Sequence, residues 1–235
     1  MVFSSTDTIA RRNIMKKRGN LFYLLLSLLF LLLAYPSIER FAVAGKILAL
    51  FFSFVLVAGI YAVSGHNRTK VIISFILAVP AIAIIWFDQF FASKMLDIAT
   101  FTLLVLFSFF TMGCIVSYLL SAKRVTKDIL AGAASAYLLM GISWSMLCGL
   151  LELIIPGSFA VNEAIGVDAL SRWSTFNYYS FTTLTTLGYG DITPITSRAQ
   201  SFAILESVMG VLFTALLISR LVGMYLYQLK EGNSN

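Results

Sequence analysis

Apolar runs of 18 to 30 residues, most of them separated by short polar breaks, make up most of the chain. Six of them occupy residues 21–38, 41–63, 71–91, 98–122, 129–155 and 200–229. A helix of about 20 apolar residues crosses about 30 Å of hydrocarbon. The pattern therefore predicts an all-α membrane protein with six transmembrane helices. One long polar-tinged stretch, residues 156–198, interrupts the regular spacing between the fifth and sixth runs. A functional loop is expected there.

Composition agrees with this pattern. Of 235 residues, 59% are apolar and 12% charged, and the mean hydropathy is +0.90, which excludes a soluble globular domain. With 15 Gly and 4 Pro there is no collagen-like or low-complexity segment, and the excess of aliphatic and aromatic residues excludes disorder. The net charge of +6 comes from basic clusters between apolar runs, where it sets orientation rather than nucleic-acid binding. Cys114 and Cys148 lie inside apolar runs without metal-type spacing or a neighbouring His, so neither a disulfide framework nor a zinc site is expected.

Arg11, Arg12, Lys16, Lys17 and Arg18 precede the first run as they would in a secretory signal peptide. The run ends Leu33-Ala34-Tyr35-Pro36 without an A-x-A-like cleavage site, so a retained helix is expected. With both termini in the cytoplasm, eleven basic residues fall inside and five outside. The expected location is a cell membrane, of the bacterial inner-membrane type, crossed several times. No period of 20 to 50 residues repeats. The expected organisation is a basic cytoplasmic N-terminus (1–20), a four-helix transmembrane unit (21–122) and a second unit (123–235). Few residues follow the last run, so no C-terminal nucleotide- or calcium-binding domain is expected.

Inside the long stretch lies Ser180-Phe181-Thr182-Thr183-Leu184-Thr185-Thr186-Leu187-Gly188-Tyr189-Gly190-Asp191. The helical-looking piece 174–185 is about half a bilayer long, so it re-enters instead of crossing. Leu187-Gly188-Tyr189-Gly190 is poor helix material, and non-helical backbone at membrane depth is tolerated only when buried in protein or lining a watery path. Alternating Gly permits successive carbonyls to face one axis as hard oxygen ligands, with the Thr186 hydroxyl as a further rung and the C-terminus of the short helix directing partial negative charge at the same axis. Such a ladder suits a dehydrated cation.

Thr186-Leu187-Gly188-Tyr189-Gly190-Asp191 closely resembles the TVGYGD selectivity-filter signature of tetrameric pore-loop potassium channels, with Leu in place of the commoner Val. A T-x-G-Y-G match arises by chance on the order of once in a thousand chains of this length. The resemblance covers about residues 128–227. It implies an outer helix, a re-entrant pore helix, a filter and an inner helix, with potassium held at Thr186, Leu187, Gly188 and Tyr189 and the filter closed by Gly190. Gly210, twenty residues beyond Gly190, matches the glycine hinge of bacterial two-helix channels. Because one strand supplies oxygens from one side only, four copies around an axis are required, hence a homotetramer. The partners expected are further copies of the chain and membrane lipid. No nucleic acid, no cofactor and no enzymatic reaction are expected, with potassium entering only as permeant ion.

The same resemblance places Tyr178 and Tyr179 where the channels carry a Trp pair packing on the filter tyrosine, here Tyr189, and makes Asp191 the acidic residue of the outer mouth. Glu206, four residues before Gly210 on the same helix face, is expected to be paired or protonated behind the pore helix, with Thr182 or Thr183 as partner. Val211, Thr214, Ile218 and Val222 are expected to face the inner pore at helical spacing. Arg220 is expected to snorkel to the cytoplasmic interface. Asp88, Lys94 and Asp97 are expected to be solvated or lightly paired. Lys123, Arg124 and Lys127 are expected to set orientation, and His66 lies in a cytoplasmic loop.

Six runs also resemble voltage-gated channels, but the fourth run, 98–122, carries no Arg or Lys. One charge moved through 100 mV is worth about 2.3 kcal/mol, so this helix extracts almost nothing from the field. The sequence thus reads as a potassium-selective channel without a charged voltage sensor. Two rivals are a cation transporter or uptake subunit with a filter-like loop, for which Pro80 is the only hint of a broken helix, and a non-conducting channel-like scaffold.

Overall fold

A computed structural model of the chain describes residues 20–38, 43–64, 68–91, 93–122, 124–161 and 171–232. The basic N-terminus, Arg40, His66 and Lys123 lie outside the described residues. Five long helices come first: α1 (Asn20–Ile38), α2 (Ala44–Val63), α3 (Arg68–Asp88), α4 (Lys94–Ser121) and α5 (Lys127–Ile154). A short strand β1 (Phe159–Val161), the helix α6 (Ser171–Leu184), strand β2 (Ile192–Pro194) and the helix α7 (Ser197–Gly232) follow. The two strands pair antiparallel, Phe159 opposite Pro194 and Val161 opposite Ile192. This small ribbon is absent from the hydrophobic pattern because three residues are too few to show a period.

Among the described residues, α2, α3, α4, α5 and α7 are long and apolar enough to cross a membrane. The chain is a multi-pass membrane protein. In α1 the described apolar stretch, Leu21–Ala34, is shorter than a span, so only five of the six expected crossings are supplied by length and composition. α3 runs through Pro80 without a break, so the one hint of a discontinuous helix is not realised. α4 begins four residues ahead of the expected 98–122 run because the Ser93 hydroxyl accepts from Met95 N–H (3.3 Å) and caps it, with Asp97 in the first turn.

α5 is the organising element. Its surface carries Ala131, Gly132, Ala133, Ser135, Ala136, Gly141, Ser143, Ser145 and Gly149, all buried. Small side chains let backbones approach closely, which is how helices pack where lipid is as apolar as leucine. α4 and α1 both lie along α5, α6 packs on it from the other side, and α1 to α4 pack in sequence. A Cβ on Gly132 would stand 2.7 Å from Leu21 Cδ1, and one on Gly141 would stand 2.6 Å from Phe181 Cζ. The main core runs continuously from Leu24 and Phe52 through Phe107 to Leu139 and Met146. Cys114 and Cys148 are free and buried.

α7 is the opposite case. It touches α5, α6 and β2 through one face, with Phe213, Leu217 and Leu221 packed on the core. Ile204, Leu205, Val208, Leu212, Leu216 and Leu226 stand exposed on the single chain.

Candidate functional site

The site is the 186–190 loop and what holds it. α6 has 14 residues and is about 20 Å long at 1.5 Å per residue, too short to cross. It ends in a Schellman motif. The Thr182 carbonyl accepts from Leu187 N–H (2.8 Å) and the Thr183 carbonyl from Thr186 N–H (3.0 Å), the paired pattern that closes a helix when the next residue turns left-handed. That residue is Thr186, with φ of 60°. Glycine usually fills this position, since a Cβ there clashes with the following carbonyl. Gly188 N–H also bonds the Thr182 carbonyl (3.1 Å), so the chain leaves the helix tightly.

Gly188 (φ 53°) and Gly190 (φ 77°) are left-handed as well. Leu187 and Tyr189, which are not left-handed, alternate with them, so the loop needs the glycines for their torsions. Space is not the reason: a Cβ at either would meet nothing within 4 Å. Among the described residues, the carbonyls of Thr186, Leu187, Gly188 and Tyr189 accept no main-chain hydrogen bond. Acceptors without partners inside a membrane protein are costly unless something else donates or coordinates. Leu187 (55%) and Tyr189 (66%) are also exposed on the single chain, so the loop is not packed into its own subunit.

Two devices fix the loop's outer end. Tyr178 lies parallel to Tyr189 (centroids 6.3 Å apart, 4° between planes), and its hydroxyl donates to Asp191 Oδ2 (2.7 Å). Hydrogen bonding to that carboxylate, with smaller contributions from burial and from the charges nearby, pushes the Tyr178 phenol up to about 12. Beyond Asp191 the chain enters β2, paired with β1, and Ile195 N–H reaches the Ser158 carbonyl (2.8 Å). Glu152, near the end of α5, accepts from Gly157 N–H (2.7 Å) and Phe159 N–H (3.1 Å) and so braces the turn into β1.

Tyr179, expected to pair with Tyr178 against Tyr189, turns the other way. It is buried edge-on against Phe159 (5.2 Å, 69°). Successive helical positions differ by about 100°, so two adjacent tyrosines cannot both face the loop. The hydroxyl of Thr182 donates to the Tyr179 carbonyl of its own helix (2.9 Å), and its support of the loop comes through its carbonyl.

Glu206 is fully buried in α7, but its partner is neither Thr182 nor Thr183. Its Oε1 meets the Ser180 hydroxyl, which also reaches the Gly141 carbonyl of α5 (2.6 Å). Ser180 holds one hydrogen, and a carbonyl can only accept. Both contacts are satisfied when Ser180 donates to Gly141 and a neutral Glu206 carboxyl donates to Ser180. Three helices thereby meet in one buried polar knot behind α6. Ser180 carries no mark in the sequence that separates it from Thr182 or Thr183, because the face of α6 turned toward α5 is set by packing.

α7 passes Gly210 as an unbroken helix. A Cβ there would lie 2.3 Å from the Leu184 carbonyl oxygen, so the glycine allows α7 to touch the end of α6. Val211, Ile218 and Val222 are exposed on the single chain; Thr214 is exposed too, with its hydroxyl donating to the Gly210 carbonyl (3.0 Å). Arg220 does more than reach an interface: its Nη2 donates to the carbonyls of Leu120 (2.9 Å) and Ala122 (3.1 Å) at the end of α4, where orphan helix carbonyls attract a cation.

The helix, re-entrant piece, loop and helix from α5 to α7 form one continuous segment. Residues 136–227 match the family model described as "Ion channel". No curated protein and no solved structure matches the chain. The ion-channel segment begins within α5 and ends within α7, so α1 to α4 lie outside the match. It supports an ion channel and passive conduction.

Proposed function

We propose that the chain is the subunit of a potassium-selective channel. Four copies assemble about an axis, and the 186–190 loops face one another across it. The carrying observation is that loop: left-handed at Thr186, Gly188 and Gly190, with four successive carbonyls that accept no main-chain bond among the described residues. Four such ladders surround an ion with oxygen from every side and replace its hydration shell. The uncovered side chains of the loop and the exposed faces of α7 fit an assembly in which neighbouring copies and lipid cover them.

In this reading Thr186, Leu187, Gly188 and Tyr189 hold potassium and Gly190 closes the filter. Tyr178 and Asp191 clamp its outer end, Thr182 its inner end, and Glu206 and Ser180 hold α6 in place. Tyr179 wedges α6 against Phe159. Gly210 sets the distance between α7 and the filter, and Val211, Thr214, Ile218 and Val222 line the cavity below. The first apolar run, as α1, completes six crossings, with both termini in the cytoplasm. The charged residues of α4, Lys94 and Asp97, both lie in its first turn, so the field across the membrane has no charge to pull along the rest of that helix.

The test is rubidium uptake into liposomes containing the purified protein. Expected are uptake that outruns sodium, block by barium, and a tetrameric particle. Uptake coupled to protons or sodium supports the transporter instead. A tetramer that passes no ion supports the scaffold, and a monomer removes the ligand geometry altogether.

A further inference from the structure

A cavity of about 210 Å³ opens among α2, α3, α4, α5 and the first turn of α6, away from the loop. Its depth can be followed along three helices. Gly45 to Phe52, Asp97 to Leu104 and Leu153 to Met146 each span seven residues of the lining, about 10 Å of descent from helix ends to floor. The mouth is polar, with Asp88, Gln89, Asp97 and Thr100; the floor is apolar and aromatic. On one wall Phe52 meets Trp173 of α6 edge to face (5.4 Å, 83°).

Asp88, Lys94 and Asp97, expected to be solvated or lightly paired, are half-buried to exposed, with one oxygen of Asp88 turned inward. Asp88 Oδ1 and Thr100 Oγ1 are both enclosed, and neither has a hydrogen-bond partner. An enclosed carboxylate oxygen without a donor is among the costlier arrangements a protein keeps. An ammonium at the rim supplies such a donor together with a countercharge for the carboxylate.

Size narrows the choice. A dry cavity of about 150 Å³ takes one benzene. The present volume therefore holds a single aromatic ring with a short polar arm. An ammonium has three donors and no acceptor, which suits the Asp88 and Thr100 oxygens together, while Phe52 and Trp173 offer an aromatic ring edge and face contacts. No group of three His, Cys, Asp or Glu side chains among the described residues is arranged for a metal.

We propose that this cavity is a binding site for a small arylalkylammonium, its ring on the Phe52–Trp173 floor and its ammonium at Asp88 and Thr100. Because Trp173 sits in the first turn of the helix that ends at the 186–190 loop, occupancy bears directly on α6.

The test uses the full chain in nanodiscs of zwitterionic lipid, so that headgroups do not collect the amine. Binding of 2-phenylethylammonium is followed by ligand-observed NMR beside its neutral counterpart 2-phenylethanol. Expected is saturable binding of the ammonium, about tenfold or more tighter than the alcohol. Asp88→Asn should erase that preference, and Ala49→Leu, which fills the wall, should weaken both ligands about tenfold. Non-saturable uptake, equal affinities on the unaltered protein, or a preference that survives Asp88→Asn overturns the proposal. The unaltered protein decides the first two outcomes even where a variant does not fold. Binding is read directly, so a protein that conducts nothing still answers the question.

Discussion

Replacing Gly210 by Ala puts two opposed effects on one atom. In an exposed helix interior the change gains about 1 kcal/mol of helix propensity. At Gly210 the new methyl lies 2.3 Å from the Leu184 carbonyl oxygen, 2.9 Å from its Cδ1 and 3.1 Å from its carbonyl carbon. Ordinary contact begins at 3.4 Å, so α7 and the end of α6 must separate by about 1 Å, 3.4 less 2.3. The obstacle is backbone, which cannot swing aside as a side chain does. Overpacking of this kind costs about 1–3 kcal/mol, and the rigid neighbour places it at the upper end, a net loss of about 2 kcal/mol. Gly113 supplies the control, since a Cβ there meets nothing within 4 Å. Thermal unfolding of the purified protein should show Gly210→Ala lowered and Gly113→Ala unchanged or raised. Rubidium flux should fall in the first variant only, because the displaced carbonyl belongs to the residue two before Thr186. If Gly210→Ala melts with or above Gly113→Ala, the close approach of α7 to α6 is wrong.

Thr186 occupies a left-handed position that glycine prefers. Thr186→Gly is therefore expected to hold or gain stability, by up to about 1 kcal/mol, while rubidium-over-sodium selectivity drops; retained selectivity removes the hydroxyl from any role. Ser180→Ala strips the shared partner from Glu206 and the Gly141 carbonyl and should cost about 2 kcal/mol. Glu206→Gln, whose amide still donates to Ser180, should unfold close to the parent, and equal losses for both variants contradict the knot. For Tyr178 the folded-state value is raised above the ordinary 10.0 to about 12, so its contribution is complete below pH 10 and lost as pH rises through 12. Tyrosinate absorbance of the protein less that of Tyr178→Phe should stay flat through the ordinary tyrosine range and rise only near pH 12; a step at 10 rules out the bond to Asp191.

The crossings were legible because an apolar run has to be as long as the bilayer is thick, and that length shows without any neighbour. α2, α3, α5 and α7 fall where the runs fall, and α6 ends within a residue of its expected end. Caps moved the remaining boundaries, as Ser93 did for α4. The loop was legible from its glycines, since only particular torsions require them in that order. Contacts between helices were not. Nothing local distinguishes Ser180 from Thr182 or Thr183 as the neighbour of Glu206, nor Tyr178 from Tyr179 as the neighbour of Tyr189, until the rotation of α6 is known. Glu152 had a readable signal: a carboxylate shortly before Pro156-Gly157 can reach back to the free N–H groups of the turn. Gly210 was found by its offset, while its packing against Leu184 depends on a distance no spacing reveals.

Arg220 gives α7 a second point of attachment. The first is Gly210 against Leu184, and the second is the guanidinium on Leu120 and Ala122, ten residues on, or about 15 Å along the helix. A rod pinned twice does not swivel at either pin alone. A shift of the end of α4 is therefore passed along α7 to the contact beside the 186–190 loop, and the turn after Arg220 stays seated through Leu221 and Met224 on the main core.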